Sequence, residues 1–277
     1  MPELPEVETV ARALRASLPG RSIVEVDVRW TRSVAPLAPD VFARRLVGQT
    51  IAGVGRRGKW VVIDLSGDDT LLVHLRMTGQ LILGPGEAAD ERHLRVSLAL
   101  DGGQRLYFFD QRKFGRMVLT GDPQTVLGKL GPEPLADDFT AARLGEMLAR
   151  RRGRIKPLLL DQRFLAGLGN IYTDEALWQA GVHPLRAANT LARAEVARLY
   201  NAIRSILQAA LADGGTTLSD TAYRQPDGEF GAFAGLLAVY GREGQPCPRC
   251  GEPIQRIRVS QRGTHVCLKC QCPPLEA

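Results

Sequence analysis

The sequence predicts a multidomain α+β protein, and three patterns along its 277 residues support this prediction. Residues 22–120 alternate apolar and polar side chains, which is the period of β-strands. Residues 140–212 carry apolar side chains at helical spacing, most clearly between Val196 and Leu211. All five cysteines lie within residues 238–277. A chain of this length can bury more than one core, so each pattern is assigned to its own part of the fold.

The N-terminal part is predicted to be a β-sandwich or barrel with one helix packed on it. The helix covers residues 5–18, whose apolar side chains share one face, and Pro19-Gly20 ends it. Many short strands separated by glycine-rich turns are typical of such sheets. The predicted strands cover residues 24–30, 50–56, 60–66, 71–76, 80–83, 94–100, 105–110 and 116–119.

Composition along the chain suggests the domain boundaries. Residues 1–130 form the strand-rich domain, and the proline- and glycine-rich segment 131–139 is interpreted as a linker. Residues 140–237 form a helical domain that contains a long loop at about 214–235. Residues 238–277 form the cysteine-rich domain.

The charge balance favours a polyanionic partner. The formal net charge is +6, and arginine makes up most of the 36 basic residues, which suits bidentate phosphate and base contacts or reflects genomic base composition. No apolar segment is long enough to span a bilayer, and no secretory signal is visible. We therefore expect a cytoplasmic protein without a membrane partner. Separately, we expect a monomer.

The spacing of four cysteines predicts a metal site. Two C-x2-C pairs separated by sixteen residues match a tetrahedral four-thiolate zinc site, with a β-hairpin between the pairs. Disulfides or unrelated thiols are the alternative, which the absence of signs of an oxidising compartment disfavours. We expect one structural Zn²⁺, because four protein ligands leave no position for water. The predicted ligands are Cys247, Cys250, Cys267 and Cys270, with Cys272 as a spare.

Two basic regions are candidates for nucleic-acid binding or, alternatively, ordinary solvated surface. One is the predicted hairpin, which carries Arg256, Arg258 and Arg262. The other is the run 150–156, with five positive charges in seven residues. A glycine turn follows this run and enters a helix at Asn170. Such a helix start offers free N–H groups to a phosphate, although Asn170 could equally be a simple helix cap.

The N-terminus is a candidate nucleophile. If Met1 is removed, Pro2 becomes a secondary amine, whose pKa near ~8 leaves much of it unprotonated at neutral pH. Such an amine can attack a sugar carbon to give an iminium ion, and Glu3 and Glu6 lie beside it as possible acid/base groups. The alternative is an ordinary proline at a helix N-terminus.

These features occur together with several further motifs, in an order that resembles the formamidopyrimidine-DNA glycosylase family over essentially the whole chain. That family comprises bacterial enzymes that excise 8-oxoguanine and ring-opened purines. The motifs are Met1-Pro-Glu-Leu-Pro-Glu-Val-Glu-Thr9, Gly58-Lys59, His74-Leu-Arg-Met-Thr-Gly79, Asp110-Gln-Arg-Lys-Phe-Gly115, Gly169-Asn-Ile-Tyr172 with Glu175, Ala180-Gly-Val-His-Pro184, Gly214-Gly-Thr-Thr217 and the four-cysteine segment.

The resemblance implies an N-terminal β-sandwich, a helix-two-turn-helix domain and a zinc-finger hairpin, with DNA in the cleft between. Pro2 corresponds to the nucleophile at C1′, and Glu3 to the general acid/base. By the same resemblance, Glu6 would help to order the first helix, and Lys59 matches a lysine that contacts DNA near the lesion and assists catalysis. Arg262 matches a zinc-finger arginine that contacts phosphates at the lesion and is linked to the second elimination.

The resemblance also implies DNA contacts elsewhere. Met77, Arg112 and Phe114 correspond to residues that fill the gap left by a flipped base; from the residues alone, core packing of Met77 and Phe114 is the favoured interpretation. The loop at 214–235 is expected to close over the everted base. Gln111 replaces a common proline, which we expect to loosen the turn before Arg112. The remaining candidate DNA contacts are His93, Arg151, Lys156 and Asn170.

The implied activity is that of a bifunctional glycosylase and AP lyase acting on double-stranded DNA with oxidised bases or abasic sites, through an imine and β,δ-elimination. The nearest alternative is an endonuclease VIII-like glycosylase for oxidised pyrimidines, which shares the fold. A non-catalytic protein that binds damaged DNA is the second alternative, and a zinc-ribbon interaction module is the third.

Overall fold

The computed structural model describes residues 1–85, 91–217 and 231–274. Packing divides the chain into two compact units. The first unit contains Met1–Lys129 and Leu211–Ala234, and the second contains Leu130–Ala210 and Gly235–Ala277. This division differs from the one expected from the sequence: the base of the long loop belongs with the sandwich, and the cysteine-rich segment belongs with the helices.

The first unit is an antiparallel β-sandwich. One sheet has the strand order β1-β6-β7-β5 and the other β2-β3-β4-β8. All pairs of neighbouring strands are antiparallel. The strands are β1 (Ile23–Val28), β2 (Ile51–Arg57), β3 (Trp60–Leu65), β4 (Thr70–His74), β5 (Gly79–Pro85), β6 (Leu94–Leu100), β7 (Gln104–Asp110) and β8 (Arg116–Thr120). The predicted sandwich is thus confirmed, with strand ends shifted by a few residues.

The first helix, α1 (Leu4–Ser17), completes the core of this unit. Its apolar face, with Val7, Val10 and Leu14 fully buried, joins a single cluster with residues of both sheets. Burial of these side chains stabilises the helix against the sandwich and fixes its N-terminus. The predicted helix and its packing are confirmed.

The helix α2 (Pro39–Leu46) is not predicted by the sequence, in which residues 31–49 carry no assigned element between two predicted strands. Pro39 occupies its first turn, where the missing N–H has no intrahelical partner to lose. Phe42 and Leu46, four residues apart, are buried in the sandwich core. Two anchors are too few to reveal a helical period in a sequence otherwise rich in alternation. A one-turn helix, α3 (Gln124–Leu127), ends the strand-rich segment.

In the described part of the chain, the second unit combines four α-helices with a two-stranded hairpin. The helices are α4 (Ala141–Ala149), α5 (Ile155–Leu160), α6 (Asn170–Ala180) and α7 (Arg193–Ala212), and the strands are β9 (Gln255–Val259) and β10 (Arg262–Val266). The segment 131–139 packs on this unit, since Phe139 is fully buried and its carbonyl accepts a hydrogen bond from Tyr200. It is therefore part of the helical unit instead of a free linker. Within the described residues, no helix is long and apolar enough to cross a membrane.

Candidate active site and metal centre

The start of helix α1 holds the two N-terminal glutamates in a reciprocal arrangement. Glu3 and Glu6 form a capping box, in which each side chain binds the backbone N–H of the other residue. The Glu3 N–H donates to Glu6 Oε2 at 2.7 Å. Pro2, Glu3 and Glu6 are all buried. The helix dipole favours acidic groups at this position, so the residue after Pro2 is held in one orientation inside the protein.

The second oxygen of Glu6 reaches the base of the long loop. Glu6 Oε1 accepts a hydrogen bond from the Thr216 N–H at 2.7 Å. Gly215 has a φ of +88°, and a Cβ there would lie 2.9 Å from Glu6 Oε1, so only glycine fits this approach. The loop predicted to close over an everted base begins here, but residues 218–230 lie outside the described part of the chain.

Lys59 lies in the turn between β2 and β3, as the sequence predicts, and it is 5% exposed. Arg56 joins this turn to helix α1. Its Nε lies 2.9 Å from Glu8 Oε2, and its Nη1 donates to the Gly58 carbonyl at 2.9 Å. A mostly buried arginine that satisfies both elements fixes the lysine turn beside the helix that carries Glu3.

His74 lies at the end of β4, within one of the family motifs, and the sequence alone predicts no role for it. Burial, with further contributions from the charges of Arg76 and Lys59, lowers the pKa of His74 to about 3. Its Nδ1 accepts a hydrogen bond from the Arg76 N–H at 3.0 Å. The ring is therefore neutral at physiological pH, with its proton on Nε2, and adds a donor but no charge beside Lys59.

Asp110 organises the turn that carries Arg112 and Phe114. Its fully buried carboxylate accepts hydrogen bonds from the N–H groups of Arg112 and Gly115, at 3.2 and 2.6 Å. It also accepts one from the Thr78 hydroxyl at 2.5 Å. Because Thr78 follows Met77, one carboxylate joins the two turns that hold the predicted gap-filling residues. The turn that contains Gln111 is thus held by hydrogen bonds to the Asp110 carboxylate.

The gap-filling candidates are not core residues. Phe114 is 50% exposed, which rules out core packing, and Met77 is half-buried. The Arg112 guanidinium lies over the Phe114 ring, 5.1 Å from its centroid. The half-buried His93 belongs to the same edge, since its carbonyl accepts the Asp110 N–H at 2.9 Å. The structure thus groups all four residues around Asp110.

The four predicted zinc ligands come together in the second unit. The Sγ atoms of Cys247, Cys250, Cys267 and Cys270 all lie within 4.8 Å of one another. A tetrahedral zinc with bonds of about 2.3 Å requires thiolate separations near ~3.8 Å, and the Cys247–Cys270 separation is 3.9 Å. The residues therefore fit zinc, and the hairpin β9–β10 lies between the two pairs as predicted. Cys272 is exposed and outside the cluster.

Two predicted DNA contacts meet beside this hairpin. Asn170 begins helix α6, and its Nδ2 donates to the Gly263 carbonyl at 3.0 Å. Arg262, the residue before Gly263, is exposed at the start of β10. The side chain of Asn170 is thus hydrogen-bonded to the hairpin backbone, next to the position of Arg262.

Lys156 differs from its prediction as a DNA contact. Its side chain is fully buried, and its ammonium binds Asp174, Thr264 and the Gly263 carbonyl. A buried, satisfied ammonium does not contact a phosphate directly. The sequence shows that Lys156 is charged, but it does not show that the side chain lies in the interior.

Arg151 is exposed, in agreement with its prediction as a surface contact. It lines a cavity of about 500 Å³ in the second unit. Among the described residues, neither Arg151 nor its neighbours Arg150 and Arg163 has an ion-pair partner. The complete lining is Pro132, Arg143, Glu146, Met147, Arg150, Arg151, Arg163 and Phe164.

Sequence families match consecutive parts of the chain. Residues 1–117 match the formamidopyrimidine-DNA glycosylase N-terminal domain, and residues 130–222 match the formamidopyrimidine-DNA glycosylase H2TH (helix-two-turn-helix) domain. Residues 244–271 match a zinc finger found in FPG and IleRS.

Full-length relatives agree with these matches. Formamidopyrimidine-DNA glycosylases of Roseiflexus sp. (strain RS-1) and Herpetosiphon aurantiacus are each 48% identical to this chain, covering 98% of it and 100% of the relative. A solved complex of the Lactococcus lactis Fpg with DNA containing N7-benzyl-Fapy-dG has a TM-score of 0.91 at 38% identity, covering 98% of this chain and 100% of that chain. This chain belongs to the formamidopyrimidine-DNA glycosylase family.

Proposed function

We propose that the protein excises oxidised purines, including 8-oxoguanine and formamidopyrimidines, from duplex DNA and then cleaves the abasic strand. The observation that carries this proposal is the buried capping box of Glu3 and Glu6, which holds the residue after Pro2 and binds the base of the loop through Thr216. The names of the relatives, and solved complexes of the Lactococcus lactis Fpg with Fapy-dG and abasic-site DNA, support it.

Pro2 is the proposed nucleophile, which requires that Met1 be removed. The amine attacks C1′, the bond from C1′ to the damaged base breaks, and the sugar ring opens to an iminium ion. The iminium acidifies the C2′ proton, and loss of that proton expels the 3′ phosphate. A second elimination expels the 5′ phosphate, and hydrolysis of the iminium releases the enzyme and leaves a one-nucleotide gap.

Glu3 is the proposed proton donor and acceptor in these steps, because it is buried directly beside Pro2. Glu6 is a positioning residue, since both its oxygens bind backbone N–H groups. Lys59 supplies a positive charge to the DNA near the lesion. Neutral His74 beside it can donate a hydrogen bond without adding charge.

Met77, Arg112 and Phe114 are the proposed gap-filling residues. Reaching C1′ requires the damaged nucleotide to leave the base stack, at a cost of a few kcal/mol. Phe114 is exposed on a turn fixed by Asp110 and can insert between bases, while Arg112 can hydrogen-bond the orphaned cytosine. Met77 lies on the adjoining turn.

The backbone contacts are proposed to come from His93, Arg151, Asn170 and Arg262. The exposure of Arg151 and Arg262 supports this proposal. Arg150 and Arg163, which line the same cavity as Arg151 and have no ion-pair partner among the described residues, support it as well. Arginine contacts to phosphates release counterions, so we expect affinity to fall steeply with salt. The bound zinc holds the hairpin that carries Arg262 and, with four thiolate ligands, has no position for substrate water.

The second candidate substrate class is oxidised pyrimidines. It is favoured by one observation: the Lactococcus lactis Fpg, with a TM-score of 0.90 at 38% identity, has been crystallised with DNA containing an oxidised pyrimidine. Excision of 8-oxoguanine and thymine glycol by the same preparation separates the two classes. Faster release of thymine glycol would favour the pyrimidine-specific alternative.

The test of the mechanism is borohydride trapping on duplex DNA with one 8-oxoguanine opposite cytosine. We expect a covalent adduct that mass spectrometry maps to Pro2. The matched control retains an N-terminal tag, which blocks the amine and should abolish trapping. Tight binding without an adduct would support the non-catalytic damage-binding alternative, and full lyase activity of the blocked protein would exclude Pro2.

We further propose that the protein acts as a monomer on the bacterial nucleoid, in the cytoplasm. The bacterial origin of the relatives supports this location. Light scattering with and without a short lesion duplex tests the monomer, with one protein expected per duplex.

A further inference from the structure

A buried ion pair lies beneath the start of strand β10. Lys156 of helix α5 and Asp174 of helix α6 are 0% and 1% exposed, and Lys156 Nζ lies 2.5 Å from Asp174 Oδ1. Taking two charges out of water is costly, and such pairs often add little stability over apolar residues of similar size. The other hydrogen bonds of the pair therefore indicate what it does.

The hydrogen bonds from the pair to the hairpin go to three consecutive residues, Gly263, Thr264 and His265. Lys156 Nζ donates to Thr264 Oγ1 at 2.7 Å and to the Gly263 carbonyl at 3.2 Å. Asp174 Oδ2 accepts the His265 N–H at 2.9 Å. The first part of β10 is thus fixed by charge-assisted hydrogen bonds to two helices.

The same hydrogen bonds also affect two of the proposed phosphate contacts of this unit, Asn170 and Arg262. Asn170 shares the Gly263 carbonyl with Lys156, and it lies one turn before Asp174 on helix α6. Arg262 directly precedes Gly263. The spacing between Asn170 and the backbone of Arg262 is therefore set by contacts that Lys156 and Asp174 also make.

We propose that Lys156 and Asp174 are positioning residues, which hold Asn170 and Arg262 at the spacing required to bind the DNA backbone. Lys156 acts through strand β10 and does not touch DNA. This inference rests on the proposed function, because it takes Asn170 and Arg262 to be the DNA contacts.

The test replaces the pair with apolar residues, in Lys156→Met with Asp174→Leu. This variant avoids leaving one buried charge unpaired, so it can stay folded while losing every hydrogen bond to β10. With zinc-loaded protein and a duplex containing a tetrahydrofuran abasic analogue, we expect the dissociation constant to rise roughly tenfold. The slope of the logarithm of affinity against the logarithm of salt concentration should decrease in magnitude by about one, which corresponds to the loss of one phosphate contact.

A third measurement separates positioning from simple loss of folded protein. On abasic-site DNA, a displaced Arg262 should increase the product of β-elimination relative to that of β,δ-elimination. This ratio does not depend on the fraction of active enzyme. The control is Arg186→Met with Glu195→Leu, which removes a half-buried ion pair of the same unit that does not bind β10. It should leave affinity, salt slope and product ratio unchanged.

Thr264→Val keeps the inference testable if the double variant fails to fold. It removes only the hydroxyl that Lys156 binds, and it should shift affinity and product ratio in the same direction by about two- to threefold. Unchanged values in either folded variant would overturn the inference. Arg262→Ala and Asn170→Ala distinguish failure of this inference from failure of the proposed function. If these two variants also leave DNA affinity unchanged, the proposed DNA contacts are wrong. If they weaken DNA binding but the Lys156 and Thr264 variants do not, only the positioning role is wrong.

Discussion

In both units, buried carboxylates hold backbone segments in place, but the segments of the two units carry different kinds of side chain. In the first unit, Glu6 and Asp110 hold the start of α1 and the turn of Phe114, which carry the proposed nucleophile and an exposed apolar side chain. In the second, Asp174 holds a hairpin that presents arginine. We infer that the first unit supplies most of the reacting groups and the second most of the contacts to the DNA backbone. Changes in the first should mainly alter the rate of base release, and changes in the second should mainly alter DNA affinity.

Removal of zinc should have the largest effect, because metal binding contributes most of the folding free energy of small zinc modules. A chelator is expected to lower DNA affinity by more than about 100-fold while the sandwich remains folded. Trp178 reports the site directly, since its Nε1 donates to Cys247 Sγ at 3.4 Å. Tryptophan fluorescence and DNA titration on one sample measure both. Cys272→Ser is the control and should behave as the unmodified protein. Full DNA affinity without zinc would contradict the role of the second unit in binding the DNA backbone.

Two phenylalanines of the first unit should separate stability from function. Phe108 is 1% exposed, so Phe108→Ala should lower the free energy of unfolding by about 3–5 kcal/mol. Phe114→Ala should change it by less than about 0.5 kcal/mol, because that ring is half in solvent. Its excision rate should nevertheless fall about tenfold, through lost stacking. Urea unfolding measures the stability of both variants, and single-turnover kinetics measure their excision rates. Equal excision rates for Phe114→Ala and the unmodified protein would exclude the proposed role of Phe114.

Gly215→Ala should disturb the link between Glu6 and the loop. The positive φ costs an alanine roughly 1–2 kcal/mol, and its Cβ would press on the Glu6 carboxylate. We expect a matching loss of stability and slower base release, with DNA affinity nearly unchanged. Gly55→Ala is the control, since a Cβ there meets nothing within 4 Å and its φ is not in the positive range.

The smallest predicted effect concerns pH. His74 has a pKa of about 3 when folded and about 6.5 when unfolded, so its contribution to stability is present above pH 6.5 and is lost as the pH falls toward 3. Between pH 6.5 and 5.5 the loss should be about 1 kcal/mol. His74→Asn cannot titrate here, so the stability difference between the two proteins should narrow by that amount over this interval. Parallel curves in chemical denaturation would show that His74 is not protected from protonation.

The sequence predicted what depends on short-range pattern. The zinc ligands lie in two local pairs, and the sandwich strands alternate clearly. Lys156 could not be assigned correctly, because a run of charges looks the same whether its members face solvent or the interior. The contact between Glu6 and Thr216 spans 210 residues, so no local pattern reveals it. Helix α2, with two buried anchors, falls below the length at which a helical period is visible.

The inferred roles of the two units, base release by the first and DNA-backbone binding by the second, are tested most directly by comparing one variant from each. These variants are Glu3→Gln and Arg262→Ala. For both, the dissociation constant and the single-turnover rate of 8-oxoguanine release at saturating enzyme are measured on the same duplex. We expect Glu3→Gln to lose at least about 100-fold in rate with its affinity within twofold of the unmodified protein. Arg262→Ala should lose affinity by about tenfold and retain most of its base-release rate. The opposite pattern, with Glu3→Gln weakening binding and releasing base normally, would contradict the account.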